Sequence, residues 1–171
     1  MVESGKIGLE GISQVCVVVK DLQKSMERYW SILGIGPWQV YTFEPPHHTD
    51  TQVRGRPTFY RMQLALAQVD SMMWELIEPL EGESIYAEFL REKGEGLHHV
   101  ISTTGDFDQA ITSFQRQGIN VLQSGRWHSV KYAYMDTEEM LGAIMELVHT
   151  PEEFIFPPPE TTWPPSDSTS R

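Results

Sequence analysis

The feature that most constrains this fold is an internal repeat, in which residues of the first half recur 85 positions later. Both copies place an aspartate directly before a helical pattern, and the helix-ending glycines of the two copies agree within one residue. The pairs at the constant spacing are Gln14 with His99, Asp21 with Asp106, Leu22 with Phe107, Met26 with Ile111 and Tyr29 with Phe114. Repeated supersecondary units pack against each other to bury a shared core. The sequence therefore predicts two related modules.

Each module is predicted to contain one strand, one helix and three further strands. The runs ISQVCVVV and LHHVISTT open the modules as buried strands, and apolar residues at helical spacing follow each of them. The fold class is therefore α+β, with two tandem βαβββ modules forming a curved mixed sheet around a central site. We place a single domain at residues 1–150, with modules at about 11–80 and 96–150. Residues 151–171 hold 6 of the 11 prolines and are predicted to form a C-terminal arm.

The segment EPPHHTDTQVRGRPT, residues 44–58, separates two predicted strands of the first module. A loop of this length is uncommon in a compact domain unless it has a function, such as covering a binding site. The sequence therefore predicts a substrate lid at this position.

Charge and composition exclude several classes of partner. The net charge is −11, whereas nucleic acids and acidic membrane surfaces bind clustered Lys and Arg. The single cysteine, Cys16, allows no internal disulfide and is interpreted as a small buried hydrophobe in the run VCVVV. No apolar run reaches the ~20 residues of a membrane span, and the first residues lack the pattern of a signal peptide. We therefore expect a cytoplasmic protein.

Four polar residues fall inside otherwise apolar strands at repeat-equivalent positions. Gln14 matches His99 in the opening strands, and Glu75 of WELIEP matches Glu146 of MELVHTP in the closing strands. Burying a carboxylate in an apolar strand is costly unless it is paired or coordinated. A divalent cation is the simplest common partner, and this nitrogen and oxygen donor set suits Zn, Ni, Co, Mn or Fe. The alternative is that these side chains face solvent or are satisfied by packing.

The adjacent histidines His98 and His99 cannot both enter this site if the strand is regular. Neighbouring residues in a strand point to opposite faces. The repeat alignment selects His99, because His99 is the residue that matches Gln14. We therefore expect His98 on the opposite face, in packing or in solvent.

Three segments resemble the vicinal oxygen chelate superfamily, the glyoxalase/bleomycin-resistance/extradiol-dioxygenase fold of paired βαβββ modules. ISQVCVVVKDLQKSMERYWSILGIGPW resembles its opening strand and helix, and YAYMDTEEMLGAIMELV its closing strands. ELIEPLEGESIYAEFLREKGEGLHHV is most like methylmalonyl-CoA epimerases. The superfamily's metal ligands carry over onto Gln14, Glu75, His99 and Glu146. The epimerases typically have His at the first position, whereas eukaryotic lactoylglutathione lyases have Gln there.

The resemblance implies a divalent-metal-dependent isomerase, epimerase or lyase. These branches share proton abstraction next to a carbonyl through a metal-stabilised enediolate, which would give Glu146 and Glu75 catalytic roles. Two alternatives stay open. One is a non-catalytic binding protein of the bleomycin-resistance type for an apolar ligand. The other is a ring-cleaving extradiol-type dioxygenase, which needs two His and one carboxylate for iron and is disfavoured by Gln14.

Strand alternation supplies the candidate substrate contacts. Met73 shares a face with Glu75, and two pairs in other strands share a face with each other. These pairs are Tyr60 with Met62, and Tyr132 with Tyr134. Such side chains suit a small-molecule carbonyl or acyl substrate, with aromatic compounds and CoA esters as candidates. We also expect a homodimer, because a sheet of this type has edges and apolar faces to cover.

Overall fold

The computed structural model describes residues 6–165, and the first half of that range holds the first repeat unit. Residues 1–5 of the predicted domain and 166–171 of the predicted arm lie outside the described residues. The elements of the first half are β1 (Gly11–Val18), α1 (Leu22–Leu33), β2 (Trp38–Phe43), β3 (His48–Val53), β4 (Arg56–Pro57), β5 (Tyr60–Val69) and β6 (Met72–Gly82).

The second half repeats this order after a linking helix. Its elements are α2 (Ile85–Glu92), β7 (Gly96–Thr103), α3 (Phe107–Arg116), β8 (Val121–Trp127), β9 (Val130–Met135), α4 (Glu138–Leu141), β10 (Ile144–His149) and β11 (Thr161–Trp163). The short helix α4 and strand β11 have no counterpart in the sequence-based prediction. The strands form one mixed sheet in the order β11-β2-β5-β6-β1-β7-β10-β9-β8-β3-β4. The predicted α+β fold, with two βαβββ modules in one curved sheet, is confirmed.

The two modules join where β1 and β7 pair in antiparallel fashion. Val15 pairs with Val100 at the centre, and this pair is flanked by Gln14 with Ile101 on one side and Cys16 with His99 on the other. Gln14 is equivalent to His99 in the repeat, and Cys16 is equivalent to Ile101. Exchanging the two strands therefore turns one flanking pair into the other. The repeat in the sequence is therefore an approximate two-fold axis in the sheet.

The helices α1 and α3 cover the outer face of the sheet and begin at equivalent caps. The side chains of Asp21 and Asp106 accept hydrogen bonds from the backbone N–H groups three residues on, at 3.0 and 2.9 Å. Each cap of this kind contributes about 1 kcal/mol to helix stability. The outer-face residue Val17 packs with Leu22 and Met26, whereas Cys16 belongs to the core of the inner face. The alternation of β1 thus separates a helix-covered face from an inner face.

The expected lid loop is largely two strands, which is a correction to the sequence-based prediction. After β2 the chain crosses to the far edge of the sheet, where β3 pairs with β8 and β4 pairs with β3. His48 lies opposite Trp127, and its Nε2 atom is 2.6 Å from the Tyr132 hydroxyl. The free edge of β8 offers backbone groups that this segment satisfies. The pairing is non-local, so periodicity within the segment could not reveal it.

The described part of the proline-rich tail, residues 151–165, contacts two distant parts of the sheet. Phe154 and Phe156 lie against Trp127 next to the turn between β8 and β9, with ring centroids 6.3 and 6.0 Å away. The tail then reaches the opposite edge, where β11 pairs with β2. The Glu160 carboxylate accepts hydrogen bonds from the Thr42 backbone and hydroxyl, at 2.7 and 2.8 Å. The tail therefore packs on its own chain.

Among residues 6–165, none of the helices combines the length and apolar character that crossing a membrane requires.

The buried His48 at the start of β3 makes stability depend on pH. Burial lowers the pKa of His48 to about 4, against about 6.5 in an unfolded chain. Between about pH 6.5 and pH 4, His48 is therefore protonated in the unfolded state but neutral in the folded state. The free energy of unfolding should fall with decreasing pH by up to about 1.4 kcal/mol per pH unit from this group.

We expect His48→Gln to remove this dependence while its amide retains a hydrogen bond to Tyr132. In urea titrations, the unfolding free energy of wild type relative to the variant should decrease by about 2 kcal/mol between pH 7 and pH 5. His149→Gln, at an exposed strand end, controls for the loss of a histidine. A difference between wild type and His48→Gln that stays constant with pH would show that folding leaves the pKa of His48 unchanged.

Candidate functional site

The inner face of the curved sheet holds a small cavity between the two modules. Its volume is about 100 Å³, and the tail residue Phe156 forms part of its lining. Gln14 of β1, Glu75 of β6 and Glu146 of β10 line the cavity together with apolar and aromatic side chains. The strand register explains why these residues share a face. Ile101 pairs with Gln14 on one side and with Glu146 on the other, and Glu75 pairs with Cys16, which shares the face of Gln14.

His99 lies between the two glutamates and is fully buried. Its Nε2 atom is 3.3 Å from Glu75 Oε2 and 3.0 Å from Glu146 Oε2. Both carboxylates are also almost completely buried, with side chains 7% and 6% exposed. The structure thus brings together three of the four residues singled out by the repeat, and Gln14 lines the same cavity half-buried.

The charges in this cluster perturb each other strongly. Burial disfavours protonated His99, but the carboxylates of Glu146 and Glu75 outweigh it and raise the His99 pKa to about 9. Burial also raises the pKa of Glu146, against the opposing effect of His99. The cluster therefore favours a proton on His99 next to two almost completely buried carboxyl groups.

The cluster supplies donor atoms that a divalent cation can bind. Glu75 Oε2, His99 Nε2 and Glu146 Oε2 are buried and form no hydrogen bond of acceptable geometry, although the His99 nitrogen lies 3.3 and 3.0 Å from the two oxygens. Buried polar atoms without a partner are rare in folded proteins and call for an explanation. A neutral imidazole nitrogen and carboxylate oxygens are the donors that zinc and other transition metals accept.

His98 is not on the opposite face, contrary to the sequence-based expectation. The pairing of β1 with β7 shifts between Cys16–His99 and Val17–Leu97, so His98 is an extra residue in a β-bulge. As a result His98 is buried, and its Nδ1 atom is 2.8 Å from Nδ1 of His99. Regular alternation fails at such a bulge.

The His98 ring can orient His99 through this bond. Burial, with the neighbouring His99 as a further cause, lowers the His98 pKa to about 2, so His98 stays neutral. Its ring also hydrogen-bonds the backbone of Ile85. We assign the donor of the histidine pair to His99 Nδ1, because protonated His99 carries a hydrogen on both ring nitrogens whereas neutral His98 can accept at its Nδ1. A second ring contact of this kind is what fixes metal-binding histidines in proteins.

Sequence reasoning missed the position of Cys16. It is fully buried, as expected of a small hydrophobe, but it lies on the inner face directly between Glu75 and His99 in the strand pairing. Its sulfur, a Glu75 oxygen and a His99 nitrogen all lie within 4.8 Å of one another. The signal was available: Cys16 is two residues from Gln14 and shares its face.

The predicted substrate residues divide into two groups. Met62, Tyr132 and Tyr134 line the cavity, whereas Tyr60 and Met73 are not part of its lining within residues 6–165. Tyr60 instead packs behind the wall, with its hydroxyl 2.6 Å from that of Tyr132.

Two tyrosine hydroxyls pair beside the charged cluster. The Tyr86 hydroxyl donates to that of Tyr134 at 2.7 Å, and the neighbouring Tyr134 hydroxyl opposes the rise in the Glu146 pKa. Another part of the cavity wall is aromatic, with Phe43 and Trp127 stacked at a ring distance of 4.5 Å. The cavity therefore combines an aromatic wall with two acidic side chains.

Comparison with known proteins places this architecture among characterised folds. A curated relative, the uncharacterized protein YqjC of Bacillus subtilis (strain 168), is 32% identical over 98 residues. That alignment covers 51% of this chain and 64% of the relative, which is less than two thirds of its length.

Solved structures match over most of the chain at low identity and show the same fold. Methylmalonyl-CoA epimerase from Mycobacterium tuberculosis superposes with a TM-score of 0.59 at 22% identity, covering 84% of this chain and 90% of that one. The hypothetical protein BH1468 from Bacillus halodurans C-125 superposes with a TM-score of 0.64 at 17% identity, covering 85% and 98%. A family model described as Glyoxalase/Bleomycin resistance protein/Dioxygenase superfamily matches residues 13–134, which is well over half of the chain. The chain belongs to this superfamily, as the resemblance in its sequence predicted.

Proposed function

We propose that this protein is a divalent-metal-dependent isomerase, epimerase or lyase that removes a proton next to a carbonyl group. The observation that carries the proposal is a buried cluster in which His99 Nε2 lies 3.3 Å from Glu75 Oε2 and 3.0 Å from Glu146 Oε2, with both glutamates lining a largely apolar cavity. Membership of the superfamily and the fold shared with a methylmalonyl-CoA epimerase support it.

The proposed ligand set is Gln14, Glu75, His99 and Glu146. A divalent cation in this position would polarise a substrate carbonyl and offset the negative charge that develops on its oxygen. His99 is held for this role by His98, and the two glutamates supply the negative charge that retains the cation. The amide of Gln14 adds a neutral oxygen donor from the cavity side. The candidate metals remain Zn, Ni, Co, Mn and Fe.

Glu146 is the proposed base. Its carboxylate lines the cavity, where it would meet the acidic proton of a bound substrate. Glu75 reaches the same cavity from the other module, and we propose that it returns the proton to another face or carbon of the substrate.

The cavity limits the part of the substrate that can enter. Its volume of about 100 Å³ is small compared with the ~300–1,000 Å³ of sites that enclose drug-sized ligands. None of its lining residues within 6–165 is Lys or Arg. Arg61 and Arg126, each adjacent in sequence to a lining residue, form ion pairs with Glu44 and Asp50. We propose that an apolar acyl or carbonyl group enters the cavity and that any CoA moiety stays outside.

A non-catalytic binding protein is the second candidate, and the stacked pair of Phe43 and Trp127 favours it. An aromatic wall made of these two rings would bind a flat apolar ligand without any reaction. Metal analysis of the purified protein separates the two, because a binder needs no cation whereas the proposed isomerase does. The expected homodimer and cytoplasmic location stay proposals.

Replacing the proposed base tests the reaction. We expect Glu146→Gln to reduce proton exchange by about 10²- to 10⁴-fold, the usual contribution of a general base. The measurement is deuterium incorporation from solvent into a panel of 2-acyl and 2-oxo compounds that includes methylmalonyl-CoA, followed by mass spectrometry. Glu139→Gln changes an exposed carboxylate on α4 and should react at the wild-type rate. Exchange at the wild-type rate in Glu146→Gln would remove Glu146 from the mechanism.

Replacing each histidine of the doublet tests the metal centre. We expect His99→Ala to lose Zn²⁺ binding and His98→Ala to weaken it by about 10- to 100-fold, as for other residues that orient a ligand. Zn²⁺ affinity is measured by competition with a chelating dye, and His149→Ala serves as the exposed control. An unchanged affinity in His98→Ala would show that the bond between the two rings does not orient the ligand.

A further inference from the structure

Cys16 occupies a position between two of the proposed ligands. In the sheet, Cys16 pairs with Glu75 on the neighbouring strand β6 and with His99 on the neighbouring strand β7. Neighbouring strands are ~4.8 Å apart, so these three side chains stand next to one another on the inner face. Their sulfur, oxygen and nitrogen atoms lie within 4.8 Å of each other. Such spacing allows three donors to contact one ion.

The two neighbours of the thiol are buried donors that lie close to each other. Glu75 Oε2 and His99 Nε2 are 3.3 Å apart without a hydrogen bond of acceptable geometry, and His99 is fully enclosed. A cation bound to Glu75 and His99 would also lie within reach of the Cys16 sulfur, because one donor atom of each of the three residues belongs to the same compact group.

The second module shows that the fold itself does not require a sulfur here. The two-fold axis relates Cys16 to Ile101, which lies between Gln14 and Glu146 in the equivalent row. Ile101 is an ordinary apolar side chain at the cavity wall. A hydrocarbon therefore satisfies the packing at this position, whereas Cys16 places a sulfur donor beside Glu75 and His99.

We propose that Cys16 Sγ is a ligand of the cation held by His99 and Glu75, which gives the centre a sulfur donor. The inference rests on the proposed metal centre. Coordination uses the thiolate, and the displaced thiol proton is released to solvent. A centre with sulfur, nitrogen and oxygen donors selects Zn²⁺ or Co²⁺ over Mn²⁺ and Mg²⁺, which prefer oxygen.

Cobalt spectroscopy tests the proposal directly, since Cys16 is the single cysteine of the chain. Co²⁺ is added to the metal-free full-length protein, and the near-ultraviolet spectrum is followed to saturation. A sulfur-to-cobalt charge-transfer band is expected in the wild type and must disappear in Cys16→Ser. The expected loss of Zn²⁺ affinity in Cys16→Ser is about tenfold or more, with a smaller change for Mn²⁺.

Cys16→Val is a second variant that retains an apolar side chain of the kind found at Ile101. It should fold and lose the charge-transfer band, with the same loss of Zn²⁺ affinity. Wild-type protein that binds Co²⁺ without the band would overturn the role of Cys16 and leave the proposed metal centre standing. Wild-type protein that binds neither Co²⁺ nor Zn²⁺ would overturn the metal centre itself, and Cys16 with it.

Discussion

The antiparallel pairing of β1 with β7 is the constraint on which the site depends. It joins the modules on a two-fold axis through Val15 and Val100 and sets two rows of side chains across the inner face. One row runs through Glu75, Cys16 and His99, and the other runs through Gln14, Ile101 and Glu146. Neither module contains a complete donor set. The centre exists only because the register of this one pair aligns both rows.

Electrostatics then determines what the aligned rows can do. Two carboxylates buried beside one imidazole would be costly if they were left uncompensated. In the protein alone, His99 compensates them by holding its proton up to a pH of about 9. A divalent cation would replace that proton with two positive charges and satisfy the atoms that lack hydrogen bonds. The same arrangement therefore tolerates a proton and suits a metal ion.

Periodicity along the chain and the internal repeat predict the modules and two of the site residues, but not the features that depend on distant strand pairing. The modules, their helices and the inward orientation of Glu75 and Glu146 follow from spacing along the chain, and the structure agrees with them. His98 was assigned to the wrong face because a bulge interrupts the alternation of β7. Local patterns predict a loop at β3, because the partner that makes it a strand, β8, lies about 75 residues away in the chain. Both errors come from interactions that a local pattern does not contain.

Two segments that lie outside the repeat, β3 and the tail, pack against the aromatic side chains around the cavity. β3 brings His48 to the Tyr60–Tyr132 pair from one side, and the tail brings Phe156 against Trp127 from the other. Neither segment has a counterpart in the other module. The charged cluster comes from the repeated strands, and so do Phe43 and Trp127 of the aromatic wall, whereas Phe156 is the lining residue that the tail adds. A change in the tail can therefore alter the aromatic wall without disturbing the acidic cluster.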